Sequence, residues 1–413
     1  MGKYLNPGNR GFRAIRNGTY VDKTGLIAFV NSTINISPDR LTCFSRPRRF
    51  GKSYAAKTLC AYYDKTCDSG DLFEGLAIAE EDSFETYLNQ FDVIYLDITR
   101  FISTTSDIKK VVREIQKKVI EELHLAYSGY VKVGETVLVD ALFSVSHVTG
   151  NQFIIIIDEW DALFREAKSD DLLQKEYVQL LRGLFKGGTA TDETIAAAYM
   201  TGILPIKKYG TESALTDFQE YTMVSPDMLS SYVGFTESEV RSLCEQTGMD
   251  FEEMKCWYDG YAFLNLPSVY NPDSVMSAVR RKNCRSYWTS SETYESLKNY
   301  ITRNFDGLKD TVVQMLGGRH INVDISTFQN DMTSFENRDD VLTLLIHLGY
   351  LSYDEKEREI FIPNLEVADA FRAAVKGTDW NEVNLSLSQS DNLLKATIRC
   401  DSEMVAEALE MAH

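Results

Sequence analysis

No apolar run in this 413-residue sequence approaches the ~20 residues that a membrane span requires. The amino terminus, MGKYLNPGNRGF, lacks the apolar core of a secretory signal. Cysteine is sparse and without pattern: seven residues, an odd number, are scattered from Cys43 to Cys400 with no CxxC spacing. This argues against a disulfide framework and a cysteine-based zinc site, and predicts a reducing, cytoplasmic setting away from membranes. Five isolated histidines add no metal pattern. Repeats and low-complexity segments are missing too.

What is present has an ordinary globular balance, 44% apolar and 25% charged, with length enough for two or three domains. The net charge of −18 is unevenly spread. Residues 1–60 hold eleven Lys/Arg against only Asp22 and Asp39, a net +9, which leaves −27 for the rest. A basic end on an acidic chain predicts a local anionic ligand rather than a surface spread along nucleic acid.

Apolar runs predict strands at 41–45, 93–98, 153–157 and 195–204, separated by helical patterns at 53–64, 108–123 and 177–185, with a further short helix at 24–31. Strands alternating with helices imply an α/β fold, a mostly parallel sheet with helices on both faces. Unbroken apolar strands fit burial on both sides. Beyond residue 205 the pattern changes. Thr236-x-x-Glu239 is a capping box opening a helix, and short helices continue to about residue 300. Helix 338–347, hairpin 351–363 and helix 366–376 follow in an order that resembles a winged helix-turn-helix, and the tail 392–413 reads as helical and acidic. The expected division is 1–230, 231–330 and 331–413.

Two motifs carry the chemistry. In RPRRFGKS, Arg46–Ser53, a strand enters and a helix leaves, as in the GxxxxGK[ST] phosphate loop, although Arg46 stands where the first glycine belongs. Gly51 would let backbone amides approach phosphate, Lys52 would neutralise its β and γ oxygens, and the Ser53 hydroxyl would bind Mg²⁺ at a helix N-terminus. Arg46, Arg48 and Arg49, with Phe50 and Tyr54 beside them, are expected around the same phosphates; the arginines could equally face solvent. The second motif is FIIIIDEWD, 153–161. Asp158 would hold Mg²⁺, and Glu159 would be the general base for an attacking water. A strand-end carboxylate is commonly just a solvated end or a helix cap. Its place 106 residues after Lys52, with a strand and helices between, favours the catalytic reading. Thr201, at the end of the 195–204 strand, could sense a γ-phosphate or simply bond backbone. Asp97 is a further strand-end acid, and Asp22 and Lys23 lie near enough in sequence to be base-pocket residues. Arg182, Lys186, Lys207 and Lys208 stay open as charge donors.

These motifs, together with YLNPGNRGF, TYVDKTGLI, the YYD and DSGDLF pair, YMTGILPIKKYG, GFTESEV, WYDGYAF and VYNPDSVM, resemble the bacterial AAA-ATPase-like family from about residue 4 to about residue 380. The resemblance implies a P-loop NTPase of the additional-catalytic-glutamate type, ATP and Mg²⁺ as ligands, and a loop in which arginine at position 46 is usual. Family members usually carry a C-terminal nuclease-like domain of the PD-(D/E)XK type. Asp250 with Glu253-x-Lys255 mimics its acid and ExK, but in a helical stretch rather than on strands, so the domain is expected to be absent and nuclease activity is not expected. The expected function is therefore a Mg²⁺-dependent ATPase acting as a nucleotide switch. The alternatives are a nucleotide-dependent interaction module with little turnover, and a regulator of a nuclease domain missing here. A protein partner or self-association is expected. Acids at Asp339, Asp340, Asp354 and Glu355 in the winged-helix-like region argue against direct nucleic-acid binding.

Overall fold

Strand β3, Phe153–Asp158, shows how the sequence builds the central sheet. All six residues are buried, with Ile154 and Ile156 facing one apolar core and Ile155 and Ile157 the other. A strand packed on both faces can be apolar at every position, and each buried isoleucine contributes about 1.5–3 kcal/mol. In this computed structural model, which describes residues 2–186, 188–206, 215–288, 305–329 and 335–376 with a few single positions besides, β3 lies in a five-stranded parallel sheet. Its other members are β1 Leu41–Ser45, β2 Asp92–Asp97, β4 Ile195–Gly202 and β5 Gln219–Tyr221, in the order β2-β3-β4-β1-β5. Strand β4 therefore separates the strand that enters the phosphate loop from the strand that carries the acid pair.

Helix Lys52–Tyr63 packs on one face of the sheet, and helices Val111–Ala126, Leu138–Thr149 and Asp171–Phe185 cover the other. The N-terminal motif is tied to this frame by side chains. The Asn6 amide donates to Asp92 and its carbonyl accepts from Val93 N. Asp64, which ends the helix after Tyr62 and Tyr63, accepts from Gly8 N at 2.6 Å.

The sheet and its flanking helices are as expected, with boundary shifts that have local causes. Helix Asp171–Phe185 begins six residues before its expected start because Asp170 caps it, accepting from Leu173 N. Strand β2 stops at Asp97 because that carboxylate caps the next helix, accepting from Arg100 N at 2.9 Å. Helix Leu138–Thr149 and β5 were not expected. The Thr236–Glu239 capping box is present.

The C-terminal region is largely helical. It holds two small antiparallel sheets, β6 Phe235–Thr236, β7 Tyr261–Phe263 and β8 Leu266–Tyr270, then β9 Ile321–Asn322, β10 Ser352–Asp354 and β11 Glu359–Phe361. The expected helix, hairpin and helix occur at Arg338–His347, β10–β11 and Leu365–Lys376, with β9 as an added third strand. Lys207, Lys208 and nearly all of the tail lie outside the described residues. Asp250 is an N-cap, accepting from Glu253 N at 2.7 Å, and Lys255 pairs with Glu237, so the acid and ExK imitation is part of helix Phe251–Tyr258.

One apolar core runs from the sheet into this region, joining Phe44, Phe50, Ala55 and Leu59 to Leu345, Tyr350 and Phe371. Tyr261 is a joint within it: its ring meets Phe50 edge-on and its hydroxyl donates to Gly349 O at 2.7 Å. Gly349 lies so near the loop that a Cβ there would come within 2.7 Å of the Pro47 ring.

Glu366 locks helix Leu365–Lys376 onto helix Pro272–Arg281 and its exit. It accepts from the Ser274 hydroxyl at 2.7 Å and from Tyr287 N at 2.6 Å. Burial raises its pKa to about 7, against the opposing pull of Ser274, the Tyr287 and Trp288 amides and Arg49. The folded protein thus holds this proton more tightly than the unfolded chain between the ordinary value of 4.5 and about 7. The stabilisation is fully present below the ordinary value and is lost as pH rises through the folded one. Melting temperature should therefore carry a downward component between pH 5 and pH 8 that Glu366→Gln removes. Melting curves of both proteins across that range test this, and parallel slopes would refute it.

Candidate functional site

The chain leaves β1 at Ser45 and turns through Arg46–Gly51 before helix Lys52–Tyr63 begins. The turn needs two left-handed residues, Arg49 at φ 73° and Gly51 at φ 89°. At Gly51 a Cβ would meet nothing within 4 Å, so backbone conformation rather than space calls for glycine. Lys52 folds back under the loop. Its ammonium donates to Arg46 O at 3.0 Å and Pro47 O at 2.9 Å, and lies 3.5 Å from Glu159 Oε1.

The acid pair arrives on the end of β3. Asp158 is buried, with Oδ1 accepting from the Thr201 hydroxyl at 2.6 Å and Oδ2 from the Tyr95 hydroxyl at 3.3 Å. Glu159 follows in the left-handed region at φ 55°, a conformation that costs a non-glycine residue of order 1–3 kcal/mol. Its amide lies 3.4 Å from Thr201 Oγ1. Burial pushes the Glu159 carboxyl up, but Lys52, Arg165 and Arg48 outweigh burial and hold it below its ordinary value. Arg165 Nη2 donates to Glu159 Oε2 at 2.5 Å, and Arg165 Nε donates to Asp161 Oδ2 at 3.1 Å. That same Asp161 oxygen accepts from Ile203 N and Leu204 N just past β4. Gly202 makes this approach feasible, since a Cβ there would lie 2.6 Å from the Trp160 ring.

These groups wall one cavity of about 940 Å³. Its polar lining includes Arg48, Lys52, Ser53, Asp158, Glu159 and Arg165. Asp97 is there too, with burial raising its pKa. The rest of the wall includes the apolar side chains of Ile15, Val21, Pro272 and Met276 and the ring of Tyr20. Volume and mixed lining suit a small ligand with one charged and one apolar end. Among the described residues no group of three or more His, Cys, Asp or Glu is placed to hold a metal alone. A serine hydroxyl and one carboxylate do fit Mg²⁺, which keeps several waters and completes its shell with substrate phosphates.

The residues named from sequence divide accordingly. Arg48, Arg49, Phe50, Gly51, Lys52, Ser53, Tyr54, Asp158 and Glu159 all contribute to the cavity wall. Lys23 does so as well, while pairing with Glu239, whereas Asp22 is taken up by the Thr24 and Ala77 amides. Phe50 has its ring in the core. Thr201 stands behind Asp158, fully buried and outside the wall. Arg182 and Lys186 are not part of the wall.

The expectation that places Arg46 at phosphate is corrected. Its side chain is fully buried, 4.3 Å from the Phe44 ring and 5.1 Å from that of Phe263, and Nε and Nη2 have no hydrogen-bond partner. Burial lowers its pKa to about 9, and together with burial its charge drives the His347 imidazole down to about 3. Sequence reading also missed Arg165, although Asp161 and Arg165 stand one helical turn apart, and it missed the walls made by Tyr20 and Met276, which carry no local signal.

Residues 8–211 match a family described as "Predicted AAA-ATPase". The N-terminal region of this chain is an AAA-ATPase-like P-loop domain. A protein of Azotobacter chroococcum mcd 1, described as "Uncharacterized protein in vnfD 5'region", is 24% identical over 390 residues, covering 90% of this chain and 70% of the relative. Among solved structures, the chain is similar to the Aeropyrum pernix ORC2 protein in its ADPNP-ADP complexes, with 13% identity, 88% and 98% coverage and a TM-score of 0.35. For C. elegans PCH-2 the figures are 13%, 87% and 76%, and 0.29. For the Aeropyrum pernix ORC1 protein in complex with DNA they are 12%, 90% and 98%, and 0.31.

The expectation against direct nucleic-acid binding is corrected, because the acids that carried it are not all free to repel phosphate. Of its four acids, Asp339, Asp340 and Asp354 accept hydrogen bonds within the fold. Asp340 is buried, closing a capping box with Asn337 and accepting from Glu336 N and the Thr327 hydroxyl. Asp339 accepts from Asp324 N and pairs with Arg338. Carboxylates used to start a helix do not measure the repulsion a phosphate backbone would meet. Among the described residues, no helix is long and apolar enough to cross a membrane.

For Arg46, each unpaired buried N–H costs about 1–3 kcal/mol, against about 0.5–2 kcal/mol from the ring contacts. Arg46→Met is expected to keep nucleotide affinity within about threefold and to leave melting temperature unchanged or raised. Titration with a fluorescent ATP analogue and a melting curve check both, and a tenfold loss of affinity would return Arg46 to the ligand.

Proposed function

We propose that this chain binds ATP with Mg²⁺ in the 940 Å³ cavity and hydrolyses it, acting as a nucleotide switch. The observation that carries the reading is the convergence of Lys52 and Glu159, 107 positions apart in sequence, to 3.5 Å on the wall of that cavity. Lys52, Arg48 and Arg49 are assigned to the phosphates, with the amides of Gly51 to Tyr54 at the helix start. Ser53 and Asp158 would hold the Mg²⁺, which when bound supplies positive charge to the β and γ oxygens. Glu159 would take the proton of the attacking water. Thr201 would orient Asp158, and through the Glu159 amide would fix the base as well. The apolar lining that includes Tyr20 and Met276 would receive the base. In this reading residues 1–230 form the nucleotide domain, 231–330 a lid-like helical region and 331–413 a winged-helix-like region that responds to nucleotide state.

A second reading, nucleotide binding with little turnover, is favoured by one observation. Glu159 is held by both Lys52 and Arg165, and a carboxylate so engaged is a weak base.

Lys52→Ala removes a charge-assisted contact and should weaken ATP binding by about 10- to 100-fold. Glu159→Gln should keep ATP affinity but lower phosphate release by about 100-fold or more. Phosphate release and ATP-dependent melting shifts, measured on wild type and both variants, separate the readings. A shift without phosphate release in wild type selects the second, and wild-type behaviour in Lys52→Ala sinks both.

A further inference from the structure

Arg165 was not part of any expectation, yet it makes the tightest polar contact at the site. Glu159 lies between two cations, Arg165 Nη2 at 2.5 Å on Oε2 and Lys52 Nζ at 3.5 Å on Oε1. The arginine is not free to follow a ligand. Its Nε is fixed to Asp161 Oδ2, and that carboxylate is itself fixed by the Ile203 and Leu204 amides. Asp161 and the Arg165 side chain are 1% and 8% exposed, so this anchor lies in a low-dielectric setting where charge pairing is strong. The Glu159 backbone, at φ 55°, is tied by its amide to Thr201 Oγ1 and by its carbonyl to Ala162 N. Only the Glu159 side chain retains a choice of partner.

We infer that Arg165 is the positioning residue of Glu159, holding that carboxylate back from Lys52 so that the ammonium can turn to an anionic ligand. This rests on the reading that the cavity takes a nucleotide. Lys52 has three N–H groups, two of them given to loop carbonyls, and its third direction is the one shared between Glu159 and any phosphate. Without Arg165 the carboxylate loses its nearer cation and closes on Lys52. An incoming phosphate must then displace it. Arg165 thereby favours ligand binding without touching the ligand.

Rescue by removal of the Glu159 carboxylate separates this role from that of a ligand-contacting arginine. Arg165→Met should weaken binding of a fluorescent ATP analogue by about tenfold. Adding Glu159→Gln should restore affinity to within about threefold of the Glu159→Gln single variant, because no carboxylate is left to occupy Lys52. Arg165→Lys, whose single ammonium cannot reproduce the two-nitrogen fork, should fall between wild type and Arg165→Met. Melting curves of wild type and the four variants accompany the titrations. Unchanged affinity in Arg165→Met overturns the inference. So does a double variant as weak as Arg165→Met, which would mean that the arginine meets the ligand itself. A lowered melting temperature without a change in affinity would make Arg165 a structural contact and would also overturn it. Lys52→Ala is the control for the nucleotide reading. If it weakens binding while Arg165→Met does not, only the role of Arg165 falls. If wild type binds no analogue, the nucleotide reading falls, and the inference with it.

Discussion

A lysine ammonium buried to 4% exposure is tolerated only where acceptors surround it, because the uncompensated charge would cost several kcal/mol. Lys52 meets that condition with two carbonyls from its own loop and one carboxylate from a strand two places away in the sheet. The loop must therefore curl far enough to present Arg46 O and Pro47 O, which uses the left-handed residues Arg49 and Gly51. The sheet must bring β3 level with β1 across β4, which the register of Phe44 against Thr201 and of Ile157 against Met200 accomplishes. Thr201 then falls directly behind Asp158. The position of every polar group at the site follows from satisfying this one cation.

Much of this was legible from residue order. A run such as FIIII cannot be other than buried, and the two acids that follow it, Asp158 and Glu159, fall where the strand must emerge. RPRRFGKS between strand and helix identified the loop, and the capping box at Thr236 marks a helix start by reciprocal hydrogen bonds between neighbours. Each of these signals is local. Arg46 and Arg165 were misread or missed because sequence does not say which arginine turns inward. Arg46 looks like its neighbours Arg48 and Arg49, yet it is taken into the core by the rings of Phe44 and Phe263, the latter more than 200 positions downstream. Strands of two or three residues, such as β6, β7 and β9, are too short for a period to emerge. The walls made by Tyr20 and Met276 exist only once the N-terminal segment and helix Pro272–Arg281 face each other.

Charge counting shows a similar limit. The acids of the C-terminal helix start were read as a repulsive surface, but Asp340 closes a capping box and Asp339 pairs with Arg338. At Asp339 and Asp340 the backbone amides and hydroxyls take up the carboxylates before any external partner could meet them. The basic bias of residues 1–60 was a better guide, since Arg48, Lys52 and Lys23 do line one cavity. Net charge over a segment carries meaning where the fold gathers that segment, and little where each charge has its own local partner.

The apolar core that begins beneath the loop at Phe44 and Phe50 closes only on Tyr350 and Phe371, some 300 positions later in the chain. Contacts so far apart in sequence form late, because a long loop must be closed before they contribute. During synthesis, then, strands β1 to β4 and the helices between them can emerge and collapse while the loop still lacks the Gly349 and Tyr261 contacts that shape its outer side. The phosphate loop is among the first elements made and among the last to be finished. A ribosome that stalls before residue 371 would release a sheet with its acid pair in place and its loop uncovered.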